Sequence, residues 1–251
     1  FNGPIYVGGF SLVSLHIYVA ILLMGLLLWH SWRMRFVWKL PETRGRRLWL
    51  GTAVSSLAGL LLWRSADWLK SAYALPGAKR RFTGSYEVGS LTGMFPSVSW
   101  IADRPQAVDV GAWRLAVKGA VRQRLSLRYE DVLALEQQTV MATIDCTGGW
   151  YSEQEWRGVW VAELLTAAKV EPDAASVTFR SVTGYKRRFP VAQASQFLLA
   201  THVAGKPLSH GHGYPLRLVA VNERGVEWVK WVTSLEVNRT SAIWQMPLPI
   251  Q

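Results

Sequence analysis

The chain has 251 residues, half of them hydrophobic, with 14 tryptophans, one cysteine and a formal net charge of +11. A single cysteine excludes an internal disulfide, an all-cysteine zinc site and an iron–sulfur cluster held by this chain alone. The charge is local: residues 31–81 carry 11 Lys+Arg against 2 Asp+Glu, and residues 82–251 carry 17 against 15, a pattern of membrane flanks that excludes a nucleic-acid partner from the expectations.

Residues 1–32 contain no Asp, Glu, Lys or Arg. The stretch 10–32 has about the ~20 apolar residues needed to span hydrocarbon, and is too long for a signal-peptide core. Trp29 and Trp32 suit an interfacial belt. The sequence starts inside apolar residues without a methionine, which predicts further residues upstream. Arg33, Arg35, Lys39, Arg44, Arg46 and Arg47 follow, broken by Pro41. A second, shorter span is predicted at 48–66, with an interfacial helix as the alternative. Basic residues between the spans place that loop on the cytoplasmic side. The expectation is therefore a multi-pass protein of a bacterial cell membrane, in contact with lipid, with everything after about residue 70 outside the cytoplasm.

His16 and His30 lie 14 residues apart, which on a helix is roughly 40° around the axis and ~21 Å along it. That spacing suits two stacked haems b, one near each leaflet, and ionisable groups within a span are functional suspects. The plainer reading makes His30 interfacial and His16 a helix–helix hydrogen bonder. Any bis-histidine haem needs further ligands from upstream cytochrome b helices or from a haem-bearing subunit.

A linker is predicted at 70–85 and a second domain at 86–251. Gly89 to Pro105 reads as loop, including FPSVSW at 95–100. Strands are predicted at 113–117, 140–144, 176–181, 216–221, 228–232 and 234–237. Helices are predicted at 129–135, capped by Ser126, at 159–169 and at 190–200. Short strands mixed with short helices define an α+β class.

Within this domain the strand at 140–144 runs into Cys146 and a Gly148-Gly149 turn. That geometry can present a soft sulfur ligand to a metal, although a lone cysteine also serves as a small buried hydrophobe. Downstream, HGHGYPLR at 210–217 offers glycines for close backbone approach and, in Arg217, planar donors suited to phosphate. Lys230 in EWVKWV adds a point charge for the same anion. His210 and His212 form an HxH pair that in extended chain holds zinc or copper, a competing reading. Lys186 to Arg188 reads as a solvated basic turn.

TIDCTGGW at 143–150, WRGVWVAELL at 156–165, GY at 184–185, HGHGYPLRLV at 210–219 and EWVKWV at 227–232 resemble, in the same order, the molybdopterin domain of the sulfite oxidase family. The resemblance covers roughly 95–251. It implies a sulfite-oxidase-type domain of mixed sheets, here behind a transmembrane hairpin, and Mo-molybdopterin as cofactor. It makes Cys146 the thiolate on molybdenum and His212 and Arg217 contacts to the pterin and its phosphate. Trp228, Val229 and Lys230 close over the phosphate end, Ser181 faces the cofactor, and Ser97 and Ser99 fall on the first cofactor loop. The family's soluble haem domain and the eukaryotic immunoglobulin-like dimerisation domain are not found here. The implied function is oxygen-atom transfer on a small sulfite- or sulfoxide-like oxo substrate, with electrons exchanged through a membrane haem b or quinone chain. The alternative is an electron-transfer anchor or docking module without turnover of its own.

Overall fold

The computed structural model describes residues 6–7, 10–33, 45–73, 80–99 and 106–245. The side chains before Tyr18, and those of 46–48, 67, 70 and 71, lie outside that description. So do most of the expected basic loop (34–44), the middle of the expected linker (74–79), Trp100 to Pro105, and the tail 246–251. The chain divides into two compact units, 1–87 and 88–251.

The first unit holds a two-residue hairpin, β1 (Tyr6–Val7) and β2 (Phe10–Ser11), then α1 (Leu12–Arg33), α2 (Gly45–Ala72) and β3 (Tyr86–Glu87). Leu- and Ala-rich sequence without an internal proline favours both long helices. The hydroxyls in α2 fold back onto its own carbonyls, Thr52 Oγ1 to Trp49 O at 2.9 Å and Ser65 Oγ to Leu61 O at 2.7 Å.

The two helices correct the membrane expectation. Among the described residues no helix is long and apolar enough to cross a membrane. In α2 the uncharged stretch 48–63 is bracketed by Arg46, Arg47 and Arg64, and at 1.5 Å per residue it covers about 24 Å, short of the ~30 Å hydrocarbon core. The transmembrane hairpin and the cell-membrane localisation built on it are therefore withdrawn. Haem b loses its support with them. His30 is exposed, the His16 side chain lies outside the described residues, and among the described residues no group of three His, Cys, Asp or Glu is placed to hold a metal ion.

The second unit is α+β. In chain order it comprises β4 (Leu115–Gly119), β5 (Leu125–Leu127), α3 (Tyr129–Ala134), β6 (Gln138–Cys146), β7 (Trp150–Trp160), α4 (Val161–Ala167), β8 (Ser176–Ser181), β9 (Lys186–Pro190), α5 (Val191–Ala194), β10 (Leu198–Val203), β11 (Lys206–Pro207), β12 (Arg217–Val219) and β13 (Val232–Asn238). One sheet runs β5-β4-β13-β8-β9, with β4 and β13 parallel and the other pairs antiparallel. The other is built on β7, flanked by β6 along one edge and by β10 on the other, with β11 and β12 pairing beyond β10. The core is aromatic and aliphatic: Trp150, Trp156, Trp231, Phe179, Leu115, Leu199 and Leu235 are among its fully buried side chains.

Four local expectations change. The predicted helix 190–200 shrinks to the four residues of α5, and Leu198–Val203 becomes β10. Its apolar run fills the slot between β7 and β12, where sheet context overrides local propensity. The predicted solvated turn 186–188 is a strand; its two-residue alternation turns Arg187 inward beside Phe189 and leaves Lys186 outward. The strand expected at 228–232 begins only at Val232, and α3 is capped by Arg128, whose N–H donates to Asp131 Oδ2 at 2.8 Å, not by Ser126.

Candidate active site

The β6–β7 hairpin fixes the thiol. The two strands pair without a register shift from Gln138↔Gly158 to Cys146↔Trp150, so Cys146 ends the ladder where the turn begins. Its sulfur is buried and accepts the Gly148 N–H at 3.3 Å. Burial pushes the thiol pKa up, and Asp145 adds to the rise. The Gly148 N–H and the positive charges of Lys230 and Arg217 act in the opposite direction. The cysteine is thus a buried residue within the electrostatic field of two cations, not one packed among aliphatic groups alone.

The cations come from a strand end and from irregular backbone, Arg217 from the first and Lys230 from the second. Arg217 opens β12 and is 3 % exposed. Its guanidinium lies 5.0 Å from the Trp156 ring and 5.7 Å from the Trp228 ring, and Nη1 donates to His212 O at 3.0 Å. Nε, also buried, has no hydrogen-bond partner among the described residues. No carboxylate pairs with Arg217 in the described structure. Burial lowers its pKa to about 9, opposed by attraction to the Cys146 sulfur. A guanidinium held by two indole faces and one carbonyl is stabilised by cation–π attraction but lacks a counter-ion, an expensive arrangement in a low-dielectric interior.

His212 sits on a short 3-10 helix, His210–His212, rather than on extended chain. Its ring stacks on Phe95 at 4.1 Å, Nε2 meets Phe95 O at 2.9 Å and Nδ1 meets Ser209 Oγ at 3.0 Å. Both ring nitrogens are therefore engaged, and the HxH metal reading is not realised. His210 instead lies beside Trp231, whose Nε1 donates to its carbonyl at 2.8 Å. Burial, then Arg217, push the His212 pKa down to about 4, Lys230 adding and the Phe95 carbonyl opposing. At neutral pH the ring carries no charge of its own beside the two cations.

The structure brings Ser97 and Ser99 to Lys230. Lys230 Nζ donates to Ser99 Oγ at 2.9 Å, to Gly211 O at 2.9 Å and to Ser97 Oγ at 3.4 Å, and Ser97 Oγ donates to Gly211 O. Two glycines allow this convergence. Gly213 adopts φ +107, and a Cβ there would stand 3.0 Å from Arg217 Cβ and 3.1 Å from Lys230 Cβ. Gly225 packs on the hairpin itself, where a Cβ would be 3.0 Å from Cys146 Cα.

Trp228 is buried and donates from Nε1 to Glu223 O at 3.1 Å, while the carbonyl of the buried Val229 accepts from Leu218 N–H at 2.8 Å. Ser181 is buried, but its hydroxyl accepts from Thr183 N at 3.3 Å and meets Thr183 Oγ1 at 3.1 Å, serving its own turn rather than the cluster around Cys146. Two residues absent from the expected site support it from behind. Arg187 Nε donates to Glu227 Oε2 at 2.6 Å, and a second bond from Nη2 to Oε1 makes the pair bidentate, with side chains 5 % and 15 % exposed. Tyr185 OH donates to Val226 O in the same segment. Arg187 was legible only as one of three basic residues in a row; its inward alternation was the missed signal.

Fold and site together define an α+β domain that gathers one buried thiol, a buried guanidinium without a counter-ion, and a lysine held by two hydroxyls and a carbonyl, an arrangement suited to an anionic ligand. The comparison with known families identifies it further. Residues 102–243 match the oxidoreductase molybdopterin binding domain family, and the chain belongs to that family. It is 29% identical over 60% of its length to the uncharacterized oxidoreductase YuiH of Bacillus subtilis (strain 168), covering 77% of that protein. It is likewise 29% identical to mitochondrial sulfite oxidase of Rattus norvegicus, over 55% of this chain and 32% of the enzyme. The sulfane dehydrogenase SoxCD of Paracoccus pantotrophus superposes with a TM-score of 0.52 at 27% identity, over 54% of this chain and 40% of that one. The chain thus spans about a third of the rat enzyme's length. It is a molybdopterin-binding oxidoreductase domain homologous to sulfite oxidase, and the docking-module alternative is set aside.

The residues present fit the cofactor this family binds. The thiol supplies one soft ligand. The unpartnered Arg217 Nε and the Lys230 ammonium supply donors for anionic groups, and buried donors without partners are rare unless a ligand or water completes them.

Proposed function

We propose that this domain is a molybdenum-cofactor oxidoreductase that transfers an oxygen atom to or from a small oxyanion or sulfoxide. Cys146 holds molybdenum through Sγ. Lys230, with Ser97 and Ser99 beside it, takes the cofactor's phosphate, and the backbone of Trp228 and Val229 keeps that lysine in place. When bound, the cofactor supplies the two-electron redox change and the oxygen-transfer chemistry. The chain's own residues do the rest. Arg217 offers fixed positive charge beside the sulfur, where an anionic substrate or a developing negative charge is stabilised in a dry setting. His212, neutral at pH 7, orients the Arg217 guanidinium through its carbonyl and buttresses Phe95 through its ring. Trp156 and Trp228 exclude water from the guanidinium. Ser181 is assigned to the cofactor side of its turn by family position only.

The observation that carries this reading is Arg217, a buried cation without a carboxylate, within the field of the chain's single thiol. Metal analysis of the purified chain tests it. Wild type should carry about one molybdenum, reduce or oxidise one of a panel of sulfite, sulfoxide and other oxo compounds, and lose both properties in Cys146→Ser. A chain without molybdenum, or a Cys146→Ser variant with full turnover, would reject the assignment.

A further inference from the structure

Trp150 is the direct cross-strand partner of Cys146 at the end of the β6–β7 ladder. Cross-strand partners project on the same face of a sheet, with Cβ atoms about 5 Å apart. The indole is 1 % exposed, its ring packs 6.0 Å from Phe95, and Nε1 is a buried donor with no partner among the described residues. The turn residue between the two strands leaves space at that point. A Cβ on Gly148 would stand 3.3 Å from Trp150 Nε1 and 3.5 Å from Cys146 Sγ, so the absent side chain opens a gap walled by the N–H on one side and the sulfur on the other.

A buried N–H left unpaired costs roughly as much as the hydrogen bond it forgoes, and native structures seldom retain one unless a ligand completes it. The indole N–H is a donor only, so whatever fills the gap presents an acceptor. The gap adjoins the sulfur, and the cofactor that the sulfur ligates is rich in oxygen and sulfur acceptors.

We infer that Trp150 is a cofactor-binding residue: its indole N–H donates a hydrogen bond to an oxygen or sulfur atom of the molybdenum cofactor, in the gap that Gly148 keeps open. The inference rests on the reading of Cys146 as the molybdenum ligand. Trp150 makes the second, directional contact on the face of the hairpin that carries the thiol. Gly148 is required for its missing volume, not for a left-handed backbone, since its φ lies outside the positive range.

The test compares cofactor-loaded protein with protein produced without molybdate, each as the full chain. Trp150→Phe keeps an aromatic ring against Phe95 and deletes the donor together with part of the indole's volume. The quantities read are molybdenum retained per chain after prolonged dialysis and the rise in Tm on loading. The second is a difference within one variant, so a change in packing cancels. Trp150→Phe is expected to release molybdenum about tenfold faster or more, as loss of a hydrogen bond to a charged group predicts, and to show a smaller loading shift than wild type. Gly148→Ala sets its methyl 3.3 Å from Trp150 Nε1 and 3.5 Å from Cys146 Sγ, a contact that a shift of a few tenths of an ångström relieves, so the variant should fold yet bind little molybdenum. Wild-type retention and an unchanged loading shift in Trp150→Phe, or full loading of Gly148→Ala, would overturn the proposal while leaving the assignment of Cys146 intact. Absence of molybdenum from wild type would overturn both.

Discussion

The two walls of the site are built differently. One is the β6–β7 hairpin, in which nine consecutive register pairs fix Cys146 and Trp150 through backbone hydrogen bonds. The other is mostly irregular chain, 210–216 and 223–231, with the first residue of β12; Lys230 and His212 are held by groups from distant segments, and Arg217 by the His212 carbonyl. The ladder wall tolerates side-chain change because its geometry belongs to the backbone. The loop wall depends on particular polar groups, each one a point of failure. Chemistry that needs one fixed ligand and several adaptable charges is served by this division.

The largest effect is expected at Arg217. Arg217→Met should lower kcat/KM by about 30- to 1,000-fold, the cost of truncating one partner of a buried charged contact. In the cofactor-free domain the same change removes a buried charge without a counter-ion, so Tm should hold or rise. A fall in both would mean that the guanidinium serves packing rather than ligand.

Behind the loop wall stands the Arg187–Glu227 pair. Glu227→Leu alone takes the bidentate carboxylate away from the buried Arg187, and should cost about 3–5 kcal/mol in urea unfolding. The double change Arg187→Met with Glu227→Leu should recover most of that loss. Equal damage from single and double variants would show that the pair is not coupled.

Lys230→Met tests the phosphate end. It should weaken cofactor retention roughly 10- to 100-fold, the range for a hydrogen bond to a charged group. The hairpin should stay intact, read as unchanged hydrogen-exchange protection of β6 and β7.

The smallest effect expected is that of pH on the loop wall. The His212 pKa in the fold is about 4, below its ordinary 6.5. Between those values the unfolded chain binds a proton that the folded chain does not, so stability is full above about pH 6.5 and is lost as pH falls toward 4. The half-buried ring limits the loss to on the order of 1 kcal/mol. It should appear as a steeper fall in Tm for the cofactor-free wild type than for His212→Gln.

Legibility followed the same division. Strand 140–144 with its thiol and glycine turn could be read from apolar patterning, because a ladder expresses itself in local alternation. The five motifs that resemble the sulfite oxidase family marked Cys146, His212, Arg217 and Lys230 as residues belonging together. Local reading fails where context decides: 190–200 reads as helix, yet the sheet slot claims 198–200, and Arg187 reads as solvated, yet Glu227 packs against it. It also failed for the N-terminal helices, where hydrophobicity alone gave spans that the described helices do not supply.

Patterning and motif order are enough to define the class of the second unit, its one thiol and the cations available to it. Which of these groups meet is set by packing between distant segments. Lys230 reaches Ser97 across 133 residues and His212 reaches Phe95 across 117. Contacts of that span leave no trace in a helical or strand period, since they form only after separate segments have packed against one core.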